Sequence, residues 1–332
     1  MSYGAQVKFG IAHQTATGSG QAATAAGSFH HIPLISEDVG LEKDEVISGN
    51  LTGRFEQGAV YDGVNKINGT IEFEPTPKMM GLVLTSMFGA ATSVTSGSMR
   101  ALSFLPRATD YSSTFIQEPV TVYKQFTDSA SAEQYFDCQV GQLEVTFAQG
   151  QLLKAKATIS GGSRVATGIG SLALPLDSAD LSLGMLWDAT SISFGGSAVQ
   201  NYSELTISMN ENIEPLYSLN GTLSPYKFTR TGFREVTVNG TMYFSDRSAL
   251  NDFVTGTQRR LLVYSEARKT AIQSGYYASL TIDVPQLKIT QMKPGVSGPG
   301  EVSASFTGRG VLDPSSSYTV KAILVNTYGS TY

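Results

Sequence analysis

The sequence has one cysteine, Cys138, three histidines, one tryptophan and few charges: Asp, Glu, Lys and Arg together make 15% of its 332 residues. Each scarcity excludes something. A single cysteine cannot close an internal disulfide, which fits synthesis in a reducing cytoplasm. Its neighbours Phe136, Asp137 and Gln139 offer neither a base nor a positive field, so Cys138 reads as a half-buried strand residue and not a reactive thiol. His13 lies in an N-terminal stretch without periodicity. His30 and His31 are adjacent, so on a strand they point to opposite faces and cannot share a metal ion. No G-x-S-x-G nucleophile turn and no Walker-type phosphate loop occurs. The Gly-rich run at 295–300 contains Pro299 and leads into a strand, whereas anion cradles lead into a helix, so it reads as a hairpin turn. There is no run of eighteen apolar residues, so no membrane span is expected. The start, Met1-Ser2-Tyr3-Gly4, lacks the charged and apolar regions of a signal peptide. No catalytic, cofactor-binding or metal-binding residue is expected, and the chain reads as a protein that is not an enzyme.

What replaces the missing charge is Gly, Ser, Thr and Ala, beside a hydrophobic fraction of 41% and an aromatic fraction of 10%. That is too apolar for a disordered chain. The length points to two domains at about 100–200 residues each, each long enough to bury its own core. The net charge of -5 repels bulk nucleic acid rather than gripping its phosphates.

Residues 1–28, rich in Gly, Ala, Thr, Ser and Gln, read as an arm or leader. From Phe29 on, short alternating apolar runs separated by Gly, Asn, Asp and Pro predict many short strands. In Glu235–Phe244, Val236, Val238, Gly240, Met242 and Phe244 share one face. The tripeptide Asn68-Gly69-Thr70 recurs as Asn239-Gly240-Thr241, an offset of 171 that places Ile67, Ile71 and Phe73 on Val238, Met242 and Phe244. A helix signal follows each strand. In the first, Thr76 caps, Pro77 begins, Met79, Met80, Val83, Leu84, Met87 and Phe88 form the stripe, and Gly89 ends it. In the second, Asp246 caps, Leu250, Phe253 and Val254 form the stripe, and Gly256 ends it. Three further matches are read: Ile32 and Leu34 with Leu205 and Ile207; Leu143 and Val145 with Leu287 and Ile289; and Ala155, Ala157, Ile159 and Gly161 with Val302, Ala304, Phe306 and Gly308. The fold expected is all-β with minor helix. Two tandem sandwich or barrel-like units span 29–163 and 187–332, joined by a linker at 164–186, and 92–130 is an insertion in the first. Segments 47–66 and 214–236 are expected to be β-hairpin arms.

Two charged clusters have bland explanations. Glu37, Asp38, Glu42, Asp44 and Glu45 lack the spacing of a calcium loop and read as a solvated acidic loop. Lys227, Arg230 and Arg234, interleaved with Phe228 and Phe233, could contact nucleic acid, but a subunit contact is favoured.

The ordered set of features resembles the major tail tube proteins of long-tailed, non-contractile bacteriophages. It runs from a small-residue leader into His30-His31-Ile32-Pro33-Leu34-Ile35-Ser36, through 68–77 and a helix ending Met87-Phe88-Gly89, to Ile282–Leu287, Phe306-Thr307-Gly308 and a closing strand ending Leu324-Val325-Asn326-Thr327. The resemblance implies β-sandwiches flanked by a helix, stacked rings walled by a continuous β-barrel, and a lumen through which DNA passes without sequence-specific binding. Two units per chain then imply three chains per ring with pseudo-sixfold symmetry. The implied partners are further copies of the chain, other phage tail proteins and the transiting DNA, with no membrane; the implied location is the virion tail, after synthesis in the host cytoplasm. The alternatives are another virion structural protein, such as a capsid decoration or adhesin module, and a carbohydrate-binding sandwich. The last would need an exposed aromatic platform, whereas Trp187 lies near the domain junction.

Overall fold

The computed structural model describes residues 7–14, 29–50, 56, 58–126, 132–165, 184–244, 247–295 and 302–327. The first half contains β1 (Lys8–His13), β2 (His30–His31), β3 (Leu34–Glu37), β4 (Gly40–Ile47), β5 (Val60–Phe73), helix α1 (Pro77–Phe88), β6 (Thr92–Ser96), β7 (Met99–Phe104), β8 (Val120–Gln125), β9 (Ala132–Ala148), β10 (Lys154–Gly161) and β11 (Ser163–Val165). The second contains β12 (Thr190–Phe194), β13 (Ser197–Val199), β14 (Tyr202–Asn210), β15 (Ile213–Leu216), β16 (Lys227–Arg230), β17 (Glu235–Tyr243), helix α2 (Ser248–Thr255), β18 (Gln258–Gln273), β19 (Tyr276–Gly295), β20 (Ser303–Gly310) and β21 (Lys321–Asn326). The architecture is all-β with minor helix, as the alternating sequence predicts.

One antiparallel sheet runs through both halves in the order β4–β5–β10–β9–β14–β17–β20–β19. Its inner face is apolar: Ile67, Ile71, Leu143, Val145, Ile207 and Val238 are all buried. Over that face lie α1, α2 and a second set of strands. These are β2–β1–β8 beside the first part of β9, and β13–β12–β18 beside the first part of β19. β9 and β19 run from one layer into the other, each through a bulge.

The strands of the long sheet repeat between the two halves. Ile67↔Gly161, Gly69↔Ile159 and Ile71↔Ala157 pair β5 with β10. Val238↔Gly308, Gly240↔Phe306 and Met242↔Ala304 pair β17 with β20 at the expected offsets. The two Asn-Gly-Thr glycines serve different needs. A Cβ on Gly69 would lie 2.4 Å from the Val39 Cα, and one on Gly240 would lie 2.6 Å from a Phe306 ring carbon.

Several expectations need correction. Lys8–His13, within the stretch read as a leader, is a strand with Phe9, Ile11 and Ala12 buried. It pairs with β2 and β8 as β12 pairs with β13 and β18. Six residues amid Ala, Gly and Thr are too few to show a period. Ile207 pairs with Val238, the counterpart of Ile67, and Ile67 pairs with Leu41, so Leu41, not Leu34, answers to Ile207. Leu143 pairs with Ala157, whose counterpart Ala304 pairs with Pro294, while Leu287 pairs with Gly310. Leu143 therefore answers to Pro294, not Leu287. The bulges in β9 and β19 each switch the buried parity, so apolar alternation alone matches the wrong residues.

The acidic stretch from Glu42 to Glu45 is not a loop but lies on β4, opposite β5. Asp246, the proposed cap of the second helix, lies outside the described residues, as do 166–183 of the linker and 296–300 of the Gly-rich turn. Of the linker's ends, Arg164 belongs to β11 and Met185 is buried, its carbonyl accepting from the Leu153 N–H at 2.9 Å.

The helices differ in burial. In α1, the Thr76 hydroxyl accepts from the Met79 N–H and Pro77 opens the first turn. Every residue except Lys78 is buried. The methionines are core, not a groove, because α1 packs on β1 and β9 on one side and on β7, β19 and β21 on the other. In α2, which packs on β19, only Ala249 and Asp252 are buried, and Val254, expected in the stripe, is 74% exposed. The insertion expected at 92–130 provides β6 and β7, and β7 pairs with β21 of the second half. A single buried cluster consequently includes residues of both halves, not one core for each.

Candidate assembly surfaces

The outer face of the long sheet is polar. Thr70, Thr158, Gln142, Thr206, Asn239 and Thr307 alternate with the buried positions of their strands. Hydrogen bonds link neighbouring strands: Gln142 Nε2 donates to Ser208 Oγ at 2.9 Å, Thr146 and Thr206 hydroxyls meet at 3.1 Å, and Thr307 Oγ1 donates to Asn239 Oδ1 at 2.9 Å. By the same alternation, Lys66, Lys154, Lys156, Lys288, Lys293 and Arg309 share this face with Glu42, Asp44, Glu72, Glu144, Glu204 and Glu235. Asp38 joins them, its carboxylate accepting from the Thr70 hydroxyl at 3.1 Å, so charges of both signs are interspersed on this face and it carries no concentrated field for a polyanion.

Both segments read as arms contain hairpins. β4 and β5 pair out to Ile47↔Val60, and Val46, Ile47, Val60 and Tyr61 are all exposed there. β15 and β16 form a separate two-stranded ribbon with Leu216, Leu219, Leu223 and Tyr226 exposed around its loop. Exposed apolar residues on strand ends are otherwise avoided, because they invite association. The second arm lies against the first: the Asn65 N–H donates to Leu223 O at 2.8 Å, and the Tyr217 hydroxyl donates to Asn65 O at 2.8 Å.

The basic stretch Lys227–Arg234 is tied inward. Arg230 Nη1 donates to Glu211 Oε2 at 2.5 Å, and Arg234 Nε to Glu211 Oε1 at 2.5 Å. The Glu211 side chain is completely buried. Arg234 also reaches the Arg107 carbonyl at 3.1 Å, and Phe228 stacks on Phe115 with centroids 5.8 Å apart. Arg234 and Phe228 hold the second arm to the first-half segment around 107–115, and both arginines spend donors on the buried Glu211. Sequence reading missed Glu211, because a lone Glu between Asn210 and Asn212 carries no burial signal.

The residues weighed for chemistry are held by structure. Cys138 is fully buried, and burial together with the Asp137 charge pushes its thiol far above the ordinary value. Asp137 is raised from 3.8 to about 6 by burial, although the Gln14 side-chain amide donates to Oδ1 at 2.8 Å. His13 is lowered from 6.5 to about 4 by burial and by His30 nearby. His30 and His31 are lowered mainly by burial. Glu37 of the acidic stretch pairs with Lys124 at 2.6 Å. Trp187 is 43% exposed and lines an open cleft with Phe147, Tyr202 and Tyr243. Among the described residues, no group of three or more His, Cys, Asp and Glu side chains could hold a metal ion, and no helix is long and apolar enough to cross a membrane.

What the described residues offer is a polar sheet of mixed charge and two hairpin arms with exposed apolar ends. No curated protein matches the chain. The model of the family described as phage tail tube protein matches residues 4–310, spanning both halves, and the chain belongs to the phage tail tube protein family.

Proposed function

We propose that the chain is the subunit of a non-contractile phage tail tube, assembling as rings of three chains with pseudo-sixfold symmetry that stack around a DNA-conducting lumen. The observation that carries this reading is the internal repeat. Each half supplies a four-stranded piece of one continuous sheet, and within the chain the halves already join edge to edge through β9 and β14. Three chains would supply six such pieces. A polar face with charges of both signs interspersed is the surface expected of a channel wall, because a polyanion slides past it without tight counterion exchange. The work is mechanical, with no bond made or broken and no cofactor required.

Negative-stain electron microscopy of the purified chain tests the reading. Rings or tubes with three chains per ring are the expected result. Isolated monomers at all concentrations would overturn it, and six chains per ring would overturn the stoichiometry.

A further inference from the structure

The joint inside the chain has a definite register. β9 and β14 pair from Gln142↔Asn210 to Ala148↔Glu204. Above the joint, α1 is covered by β21 of the second half and is buried on all sides but Lys78.

At the two ends of the long sheet stand the counterparts of these strands without their partners. Ser208 pairs with Thr237, and the equivalent pair in the first half is Glu42↔Lys66. The β4 edge around Glu42 therefore stands where β14 stands in the joint. Gln142 pairs with Thr158, and the equivalent pair in the second half is Lys293↔Ser305. The β19 edge around Lys293 therefore stands where β9 stands. Among the described pairings, β4 pairs only with β5, and β19 beyond Ile289 pairs only with β20. Helix α2, the counterpart of α1, buries only Ala249 and Asp252 among the described residues, with Val254 74% exposed.

We infer that a second copy of this chain docks by repeating the internal joint: β19 of one copy pairs antiparallel with β4 of the next, with Lys293 opposite Asp44 and Gly295 opposite Glu42, and the neighbour covers α2. This inference rests on the tail tube reading and specifies its partner and register. The register follows from moving the Gln142↔Asn210 and Glu144↔Ser208 pairs onto their counterparts. It sets the Lys293 ammonium opposite Asp44 and within diagonal reach of Glu42, and opposite charges across strands are favourable. The two edges lie at opposite ends of the sheet, so the contact is heterologous, the type of contact from which closed rings are built.

Charge reversal in the full chain tests the joint. Lys293→Glu, and separately Glu42→Lys with Asp44→Lys, should each raise the concentration needed for assembly by about tenfold or more, since like charges then oppose each other. Combining the three substitutions should restore assembly. A mixture of Lys293→Cys and Asp44→Cys chains should form covalent dimers on oxidation, whereas Cys138, being buried, takes no part. Thermal unfolding of each variant shows that its fold is intact. If wild type assembles, the reversals are without effect and no cross-link forms, the joint is wrong while the tube reading stands. If wild type forms neither rings nor tubes, both fail together.

Discussion

Phe73 and Phe244 occupy matched positions in the two halves, but their surroundings differ. Phe73 is fully buried between Ala155 and Leu34 as strand partners. Phe244 follows the last residue of β17 and is half-buried against the core. Phe73→Ala should therefore cost about 3–5 kcal/mol, and Phe244→Ala roughly half as much. Urea unfolding of the two variants checks the order, and an equal cost would contradict the packing described. Asp137 and His13 give the chain opposing pH slopes. Asp137 is raised from 3.8 to about 6, so its contribution to stability is full below the lower value and is lost as pH rises through the higher. His13 is lowered from 6.5 to about 4, so its contribution is full above the higher value and is lost as pH falls through the lower. Asp137→Asn should remove the opposing slope and leave that of the lowered histidines His13, His30 and His31, with His13 contributing a fall on the order of 2 kcal/mol between pH about 6.5 and about 4. Unfolding curves across that range decide the matter; a pH profile identical to wild type would exclude Asp137 as a titrating group.

At the scale of elements, the hairpin arms are the features without a core-packing reason. Val46, Val60 and Tyr61 are exposed at the far end of the β4–β5 hairpin. Replacing all three with Thr should leave stability within about 0.5 kcal/mol per site, as for exposed positions, yet prevent tubes from forming. Normal assembly of that variant, seen by electron microscopy, would remove the first arm from the interface. The hairpins were legible from turn glycines and mixed polarity, and α1 from Thr76, Pro77 and Gly89. β1 was not, because Phe9 and Ile11 stand alone in a small-residue stretch. The exposure of Val254 was not legible either, since a stripe shows which residues are apolar but not whether a neighbour covers them.

For the whole molecule, the two halves share too much to unfold apart. α1 of the first half is buried against β19 and β21 of the second, β7 pairs with β21, and β9 pairs with β14. The isolated chain should unfold in one cooperative calorimetric transition, not two, with calorimetric and van't Hoff enthalpies agreeing. Two separable transitions would show that the halves are independent domains after all.

The local features were legible from residue order alone: period-two alternation, the Thr76 cap, the turn glycines and the Asn-Gly-Thr repeat. These depend on neighbours a few positions away, where covalent geometry imposes the period. Which strands pair, and in what register, was decided only in the tertiary structure. An alternating pattern fits equally well at several offsets, and the bulges in β9 and β19 shift the buried parity without changing composition. The shared core and the burial of Glu211 between Arg230 and Arg234 likewise arise from contacts between residues distant in the chain, which no local period encodes.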